Sequence, residues 1–271
     1  MALVPLPDQK SEESAPTKQI ENDETPDRGD GAGKMSFLDH LDELRHRLVV
    51  SISALLVGVL ICFVFIEPIF DFIMEPLIDV LPEGDTLVYT EPAEAFFLNI
   101  KMAALAGLLV ATPVTMSQLW LFVAPGLYAH EKRFAYPFVG LASGFFIGGA
   151  LFAHYILFPI AWGFFAGFGS DYMTFMPRIA PAFTLYVRLV LACGVVFQLP
   201  TIVFFLARMG IATPGFLVKN FKYAILIIFV FAAVLTPTGD PVTLTLMAAP
   251  MVVLYILSIG IAWLFGKPKT D

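Results

Sequence analysis

Glu43 and Glu131 are the side chains whose type and setting best suit a recognition chemistry. Glu43 stands in SFLDHLDELRHRL, residues 36–48, and Glu131 in APGLYAHEKR, residues 124–133. An ionised carboxylate presents two acceptor oxygens, and a guanidinium meets both with a planar fork of donors that an ammonium does not reproduce. Two carboxylates on one face would therefore make a receptor for paired arginines. The competing reading is internal pairing: His46 and Arg47 follow Glu43 at i+3 and i+4, and Lys132 and Arg133 follow Glu131 directly.

Enzyme chemistry is not expected. A membrane-embedded serine nucleophile needs a tight Gly-x-Ser-Gly setting and a histidine base on another helix. Ser143 lies between Gly140 and Gly144 with the wrong spacing, and His154 belongs to the same expected span. His40, His46 and His130 fall at the opposite depth. Cys62 and Cys193 each sit inside an apolar run without metal-ligand spacing, so packing is their expected role. Phosphate-loop and dinucleotide fingerprints are missing from the chain, which disfavours nucleotide-driven pumping. No cofactor is expected.

Other polar residues lie in or beside apolar runs. Gln198 precedes Leu199-Pro200, where a proline frees a carbonyl; its amide either bonds that or another helix's backbone, or forms a functional polar site. Gln118, before Trp120, admits the same two readings. Lys101 and Arg188 are expected near a membrane surface, snorkelling or pairing with Glu94. Asp240 sits in a Thr-Pro-Thr-Gly-Asp-Pro turn, where turn chemistry alone favours it.

The elements that would position these residues are membrane helices. With 58% hydrophobic and 14% charged residues, and a mean hydropathy of +0.80, the composition is that of an all-α polytopic membrane protein. The net charge of −7 is sorted by location, so nucleic-acid binding is not indicated. Residues 1–34 form a polar tail expected to be disordered, without the apolar core of a cleaved signal. In residues 36–48, Phe37, Leu41, Leu44 and Leu48 make one helical stripe, and Ser36 with Asp39 resembles a capping box. An amphipathic helix at a water–lipid boundary, running directly into the first span, is expected.

Six spans are expected within a membrane domain of residues 35–265, at about 48–66, 95–123, 134–158, 182–206, 221–235 and 242–265, before a short tail of 266–271. The second is expected to kink or break near Pro113, and the third to end at Pro159. The fifth, at 15 residues, covers only about 22 Å of a core about 30 Å thick. Residues 67–94 are acidic, lack Lys and Arg, and should carry a short surface helix over 69–80; residues 161–181 form a second cap. With both termini inside, Lys101, Arg178 and Arg188 are the only ones of 16 basic residues at or near the outer face.

Two stretches resemble a known family. Residues 37–48 are similar to the HLxELRxRL signature that opens the TatC family, the receptor subunit of the twin-arginine protein translocase. Residues 112–133, with Pro113, Gln118, Trp120, Phe122, Pro125, Gly126, Leu127, Tyr128, Glu131 and Lys132, are similar to that family's longest motif. Phe197-Gln198-Leu199-Pro200 and Leu235-Thr236-Pro237 through Asp240 match further, over about 35–265 and outside the N-terminal tail.

The resemblance implies a non-enzymatic inner-membrane receptor for the twin-arginine signal peptides of folded cargo, driven by the proton-motive force. Glu43, Arg45, Phe122 and Glu131 match positions of signal-peptide recognition, with Leu41, Gln118, Trp120, Pro125 and Tyr128 as the supporting surface. Gln198 matches an intramembrane polar position on a concave face, and Asp240 an acidic position in the last outer turn. Single-span TatA and TatB subunits are expected to dock at Phe221–Leu235 and Thr236. A homo-oligomer within a larger complex is also implied. The alternative class is a six-span transporter of small solutes or ions, which would carry internal repeats and paired broken helices.

Overall fold

The computed structural model describes residues 37–81, 87–123, 135–167, 176–235 and 241–265. Every regular element among them is helical: α1 (Phe37–Val64), α2 (Ile66–Ile78), α3 (Glu94–Val123), α4 (Ala135–Phe152), α5 (Phe158–Ala166), α6 (Ile179–Val196), α7 (Leu199–Arg208), α8 (Pro214–Lys219), α9 (Phe221–Leu235) and α10 (Pro241–Phe265). A bilayer core offers no water to backbone groups, so a spanning segment must bond its own N–H and C=O groups. Among the described residues, five stretches are long and apolar enough to cross a membrane, His40–Val64, Glu94–Phe122, Phe138–Ala166, Ile179–Arg208 and Pro241–Phe265, and α9 is a shorter apolar helix. The chain is a multi-pass helical membrane protein.

α1 runs unbroken from the charged segment into the apolar one. Its stripe of Leu41, Leu44 and Leu48 is exposed, facing away from the bundle. The opposite face, Glu43, Arg47, Ser51, Ala54, Gly58 and Cys62, is the shielded one. Small residues on that face let backbones approach closely. A Cβ at Gly58 would stand 2.7 Å from the Gly107 carbonyl oxygen, and one at Gly107 would stand 2.5 Å from the Val59 nitrogen. α1 therefore crosses α3 at these two glycines. The Arg47–Gln118 contact lies eleven residues back along α1 and eleven forward along α3, so the two helices are antiparallel.

Two span expectations are corrected. α3 is not broken at Pro113, which lies inside a continuous helix flanked by Thr112 and Thr115 hydroxyls bonded to Leu108 and Ala111 carbonyls. The third span does not end at Pro159. Residues Ala153–Leu157 form a π-helical turn, and Pro159 then sits in the first turn of α5, which continues to Ala166. The wider register suits a proline, because a residue at the start of a new helical turn needs no N–H partner. The fourth span, Ile179–Arg208, agrees with the expected bounds and carries a two-residue interruption of regular helix at Phe197 and Gln198, with Pro200 at the start of α7.

An apolar core joins α2 through α6, α9 and α10, and a smaller cluster of Val203, Ala207, Leu217 and Ala262 joins α7 and α8 to α10. Met74 and Leu77 of α2, Met102 of α3, Leu157 and Phe158, Phe183 and Leu189 of α6, Ala232 of α9 and Met247 of α10 all belong to the larger core. The surface helix expected over 69–80 is thus α2, held down by its buried Ile73, Met74, Pro76 and Leu77. Gly149 of α4 meets the Cys193 backbone of α6, whereas Gly140, Gly144 and Gly148 have open space around them. Between α7 and α9 lies α8, capped by the Thr213 hydroxyl, which accepts from the Phe216 N–H at 3.3 Å, and opened by Pro214. Tyr255 of α10 donates to the Leu217 carbonyl at 3.0 Å and ties α8 down.

Candidate signal-recognition site

At the N-terminal end of α1 three polar side chains form a chain. Arg47 donates from Nη2 to Glu43 Oε1 at 3.2 Å and from Nη1 to Gln118 Oε1 at 3.3 Å. The helical repeat puts Glu43 and Arg47 one turn apart on one face, and the antiparallel crossing brings Gln118 opposite them. Glu43 and Arg47 keep only 17% and 25% of their side-chain surface exposed. Both bonds lie at the long end of the range for a charged pair. Glu43 Oε2 and Arg47 Nε are shielded from solvent and have no hydrogen-bond partner among the described residues.

The arrangement holds a half-satisfied carboxylate. A hydrogen bond to a charged group is worth about 1.5–3 kcal/mol, and Glu43 Oε2 makes none among the described residues. The internal pairing foreseen for Glu43 is present, and it leaves one oxygen open.

The other expected site residues divide. Arg45 and Leu41 are exposed on α1, and Phe122 is half-buried near the C-terminal end of α3, the end at which Gln118 meets Arg47. Trp120 is corrected from a recognition-surface residue to a packing residue. It is buried, with its ring centroid 4.3 Å from Phe138 and 5.6 Å from Phe205. Glu131, Pro125, Tyr128, Thr236 and Asp240 lie outside the described residues.

Gln198 donates from Nε2 to the Ala142 carbonyl at 2.9 Å, fastening the break between α6 and α7 to α4. Of its two readings, the structure carries the bond to another helix's backbone. His154 is buried, 2.9 Å from the Tyr186 hydroxyl and stacked on Phe72. Ser143 lies on the same helical stretch about 16 Å away along the axis, so the two do not make a nucleophile and base.

At the far end of α3 lies Glu94, pairing with which is one of the two roles foreseen for Lys101 and Arg188, the other being to snorkel. It accepts backbone N–H groups of Thr90 and Ala180 at 3.0 and 3.1 Å and stands 4.0 Å from Arg178. Arg178 also donates to Thr90 Oγ1, and Val88 bridges Arg178 through the backbone. This clamp joins two loops far apart in sequence. The Pro177-Arg178 approach to α6 carries no local spacing that reveals it.

α9 buries Ile228 and Ala232 and exposes Leu226, Ile227, Val230, Phe231 and Val234. A single stripe thus meets the bundle, and the opposite face of this short helix is apolar and uncovered.

The fold and site define a multi-pass helical membrane protein with a shielded, partly unpaired carboxylate at one end of its bundle. A family model described as "Sec-independent protein translocase protein (TatC)" matches residues 39–250. The chain belongs to the TatC family. It is 42% identical to the Sec-independent protein translocase protein TatC of Koribacter versatilis, over 85% of this chain and 86% of that one. It is 45% identical to the protein of the same name from Desulforapulum autotrophicum, over 87% of each. A crystal structure of the twin arginine translocase receptor TatC is 36% identical, with a TM-score of 0.71 over 83% of this chain and 98% of that one. A second, in the detergent DDM, is 37% identical, with a TM-score of 0.73 over 84% and 100%. None of these is a solute or ion transporter.

Proposed function

We propose that this protein is the receptor subunit of a twin-arginine translocase, binding the arginine pair of signal peptides on folded cargo at the cytoplasmic face of the inner membrane. The observation that carries the reading is the shielded Glu43 Oε2, without a partner among the described residues, beside a guanidinium that occupies the other oxygen. Arg47 acts as an internal stand-in for the first cargo arginine. It releases Glu43 when a bidentate partner arrives and keeps its bond to Gln118. Glu131 supplies the second carboxylate from the following cytoplasmic turn, Phe122 meets the apolar part of the signal, and Arg45 contacts the peptide at the rim.

The orientation follows from the basic residues, which the positive-inside rule gathers at both termini and in the 124–134 and 208–222 segments. With α9 counted as a span, both termini are cytoplasmic and the six-span topology closes. TatA- and TatB-type single-span subunits dock along the uncovered face of α9 and at Thr236, with Asp240 in the adjoining outer turn. Several copies assemble in one complex. The protein performs no bond chemistry itself, needs no cofactor, and relies on the proton-motive force for energy.

Capture of a folded reporter by the purified membrane complex tests this reading. A reporter whose signal carries Arg-Arg should be retained, and the same reporter with Lys-Lys should be lost, because ammonium groups lack the bidentate fork. Equal retention of both would overturn it.

A further inference from the structure

Lys101, Arg178 and Arg188 are the three basic residues that the charge distribution separates from the rest, and all three line one cavity of about 800 Å³ between α3 and α6. It lies at the end of the bundle opposite Glu43, since Lys101 is about 25 Å along α3 from Gln118. Phe97 and Lys101 are one turn apart on α3, and Thr184 and Arg188 one turn apart on α6, so both helices turn a cation into the same groove. Phe97, Phe165 and Leu185 supply apolar wall. Glu94 also borders it, but its oxygens already accept backbone N–H groups and face Arg178. Glu91 is the other carboxylate at the rim. Lys101 and Arg188 have neither a hydrogen bond nor an ion pair among the described residues.

Both lie about two turns or more inside their helices, roughly 10 Å and 14 Å from Glu94 and Ile179. Cations at that depth need a counter-charge or an escape to the surface. Side chains that merely snorkelled would diverge toward water, whereas these converge from two helices on one space.

We propose that the groove is a site for an anionic phospholipid, its phosphate held between Lys101 and Arg188 and its upper acyl chains against Phe97, Phe165 and Leu185. A volume of about 800 Å³ exceeds what a phosphate alone fills, and the apolar wall suits the tails. The cations alone give selectivity for a net-negative headgroup over a zwitterionic one. In the orientation proposed above, the lipid comes from the outer leaflet.

The full chain, purified in neutral detergent, is examined by native mass spectrometry with palmitoyl-oleoyl phosphatidylglycerol or the matching phosphatidylcholine. Retention of phosphatidylglycerol should exceed that of phosphatidylcholine by at least about tenfold, since both carry the phosphate but the choline sets a fixed positive charge against Lys101, Arg178 and Arg188. Combined Lys101→Gln and Arg188→Gln should bring the ratio near one. The charge-keeping pair Lys101→Arg and Arg188→Lys should preserve it, with helicity by circular dichroism equal in both variants. Glycerol 3-phosphate at the same concentration should not displace the lipid. Equal retention of both lipids, an unchanged ratio in the glutamine variant, loss of the ratio in the charge-keeping one, or displacement by glycerol 3-phosphate would overturn the assignment.

Discussion

Arg47 donates to Gln118 across 3.3 Å, and this bond ties the charged start of α1 to the last turns of α3. The same guanidinium reaches Glu43 at 3.2 Å, so one side chain both fastens two helices and occupies one oxygen of a shielded carboxylate. In the proposed reading, a cargo arginine that took over Glu43 would leave the α1–α3 tie in place through Nη1.

Glu131→Gln should weaken photocrosslinking of a twin-arginine signal peptide without unfolding the protein. The amide keeps the shape and one acceptor but loses the charge. Loss of one charged hydrogen-bonding partner is worth about 1–3 kcal/mol, or about 5- to 150-fold in affinity. Crosslinking at the native level would remove Glu131 from the site.

Gly107→Val should destabilise the fold by about 1–3 kcal/mol, since the added carbons meet backbone atoms of Val59 that cannot turn aside. Thermal unfolding in detergent reads the change. Gly140→Ala is the control: nothing lies within 4 Å of its new Cβ, so the melting temperature should hold.

Gln198→Leu removes the amide that donates to the Ala142 carbonyl. Interhelical hydrogen bonds of this kind contribute about 0.6 kcal/mol on average and up to about 1.7 kcal/mol. A fall in melting temperature is expected, with signal-peptide affinity unchanged. Normal stability together with lost transport would instead make Gln198 a functional polar site.

Inserting four apolar residues into α9 lengthens it by about 6 Å and brings it close to the thickness of a bilayer core. A short span thins the membrane locally at a cost of fractions of a kcal/mol per Å, which gathers partners of similar mismatch. Export of a twin-arginine reporter should fall. Unimpaired export would show that the shortness of α9 carries no role.

Much of this was legible in the residues themselves. The start of α1 follows from Phe37, Leu41, Leu44 and Leu48 at helical spacing, and the shortness of α9 from the apolar run between Phe221 and the Thr236-Pro237 pair. The Glu43–Arg47 pair is readable from i,i+4 spacing, because local helical geometry fixes it. What spacing does not carry is long-range: Gln118 opposite Arg47, or Glu94 accepting from Ala180, 86 residues away. Pro159 misleads because a π turn just before it lets the helix continue. Trp120 misleads because its motif neighbours, Gln118 and Phe122, are less buried while its own ring packs inward. α8 was missed although Thr213-Pro214 is a helix-start signal.

Equilibrium binding of a labelled twin-arginine signal peptide to the native chain, Glu43→Gln and Arg47→Gln, within the assembled complex, tests the central claim most directly. If Glu43 is a receptor carboxylate with Arg47 as its stand-in, Glu43→Gln should weaken binding about 5- to 150-fold. Arg47→Gln should leave binding intact or tighten it, since the competitor for Glu43 is gone. Native affinity in Glu43→Gln, or a loss in Arg47→Gln as large as the one expected for Glu43→Gln, would contradict the account.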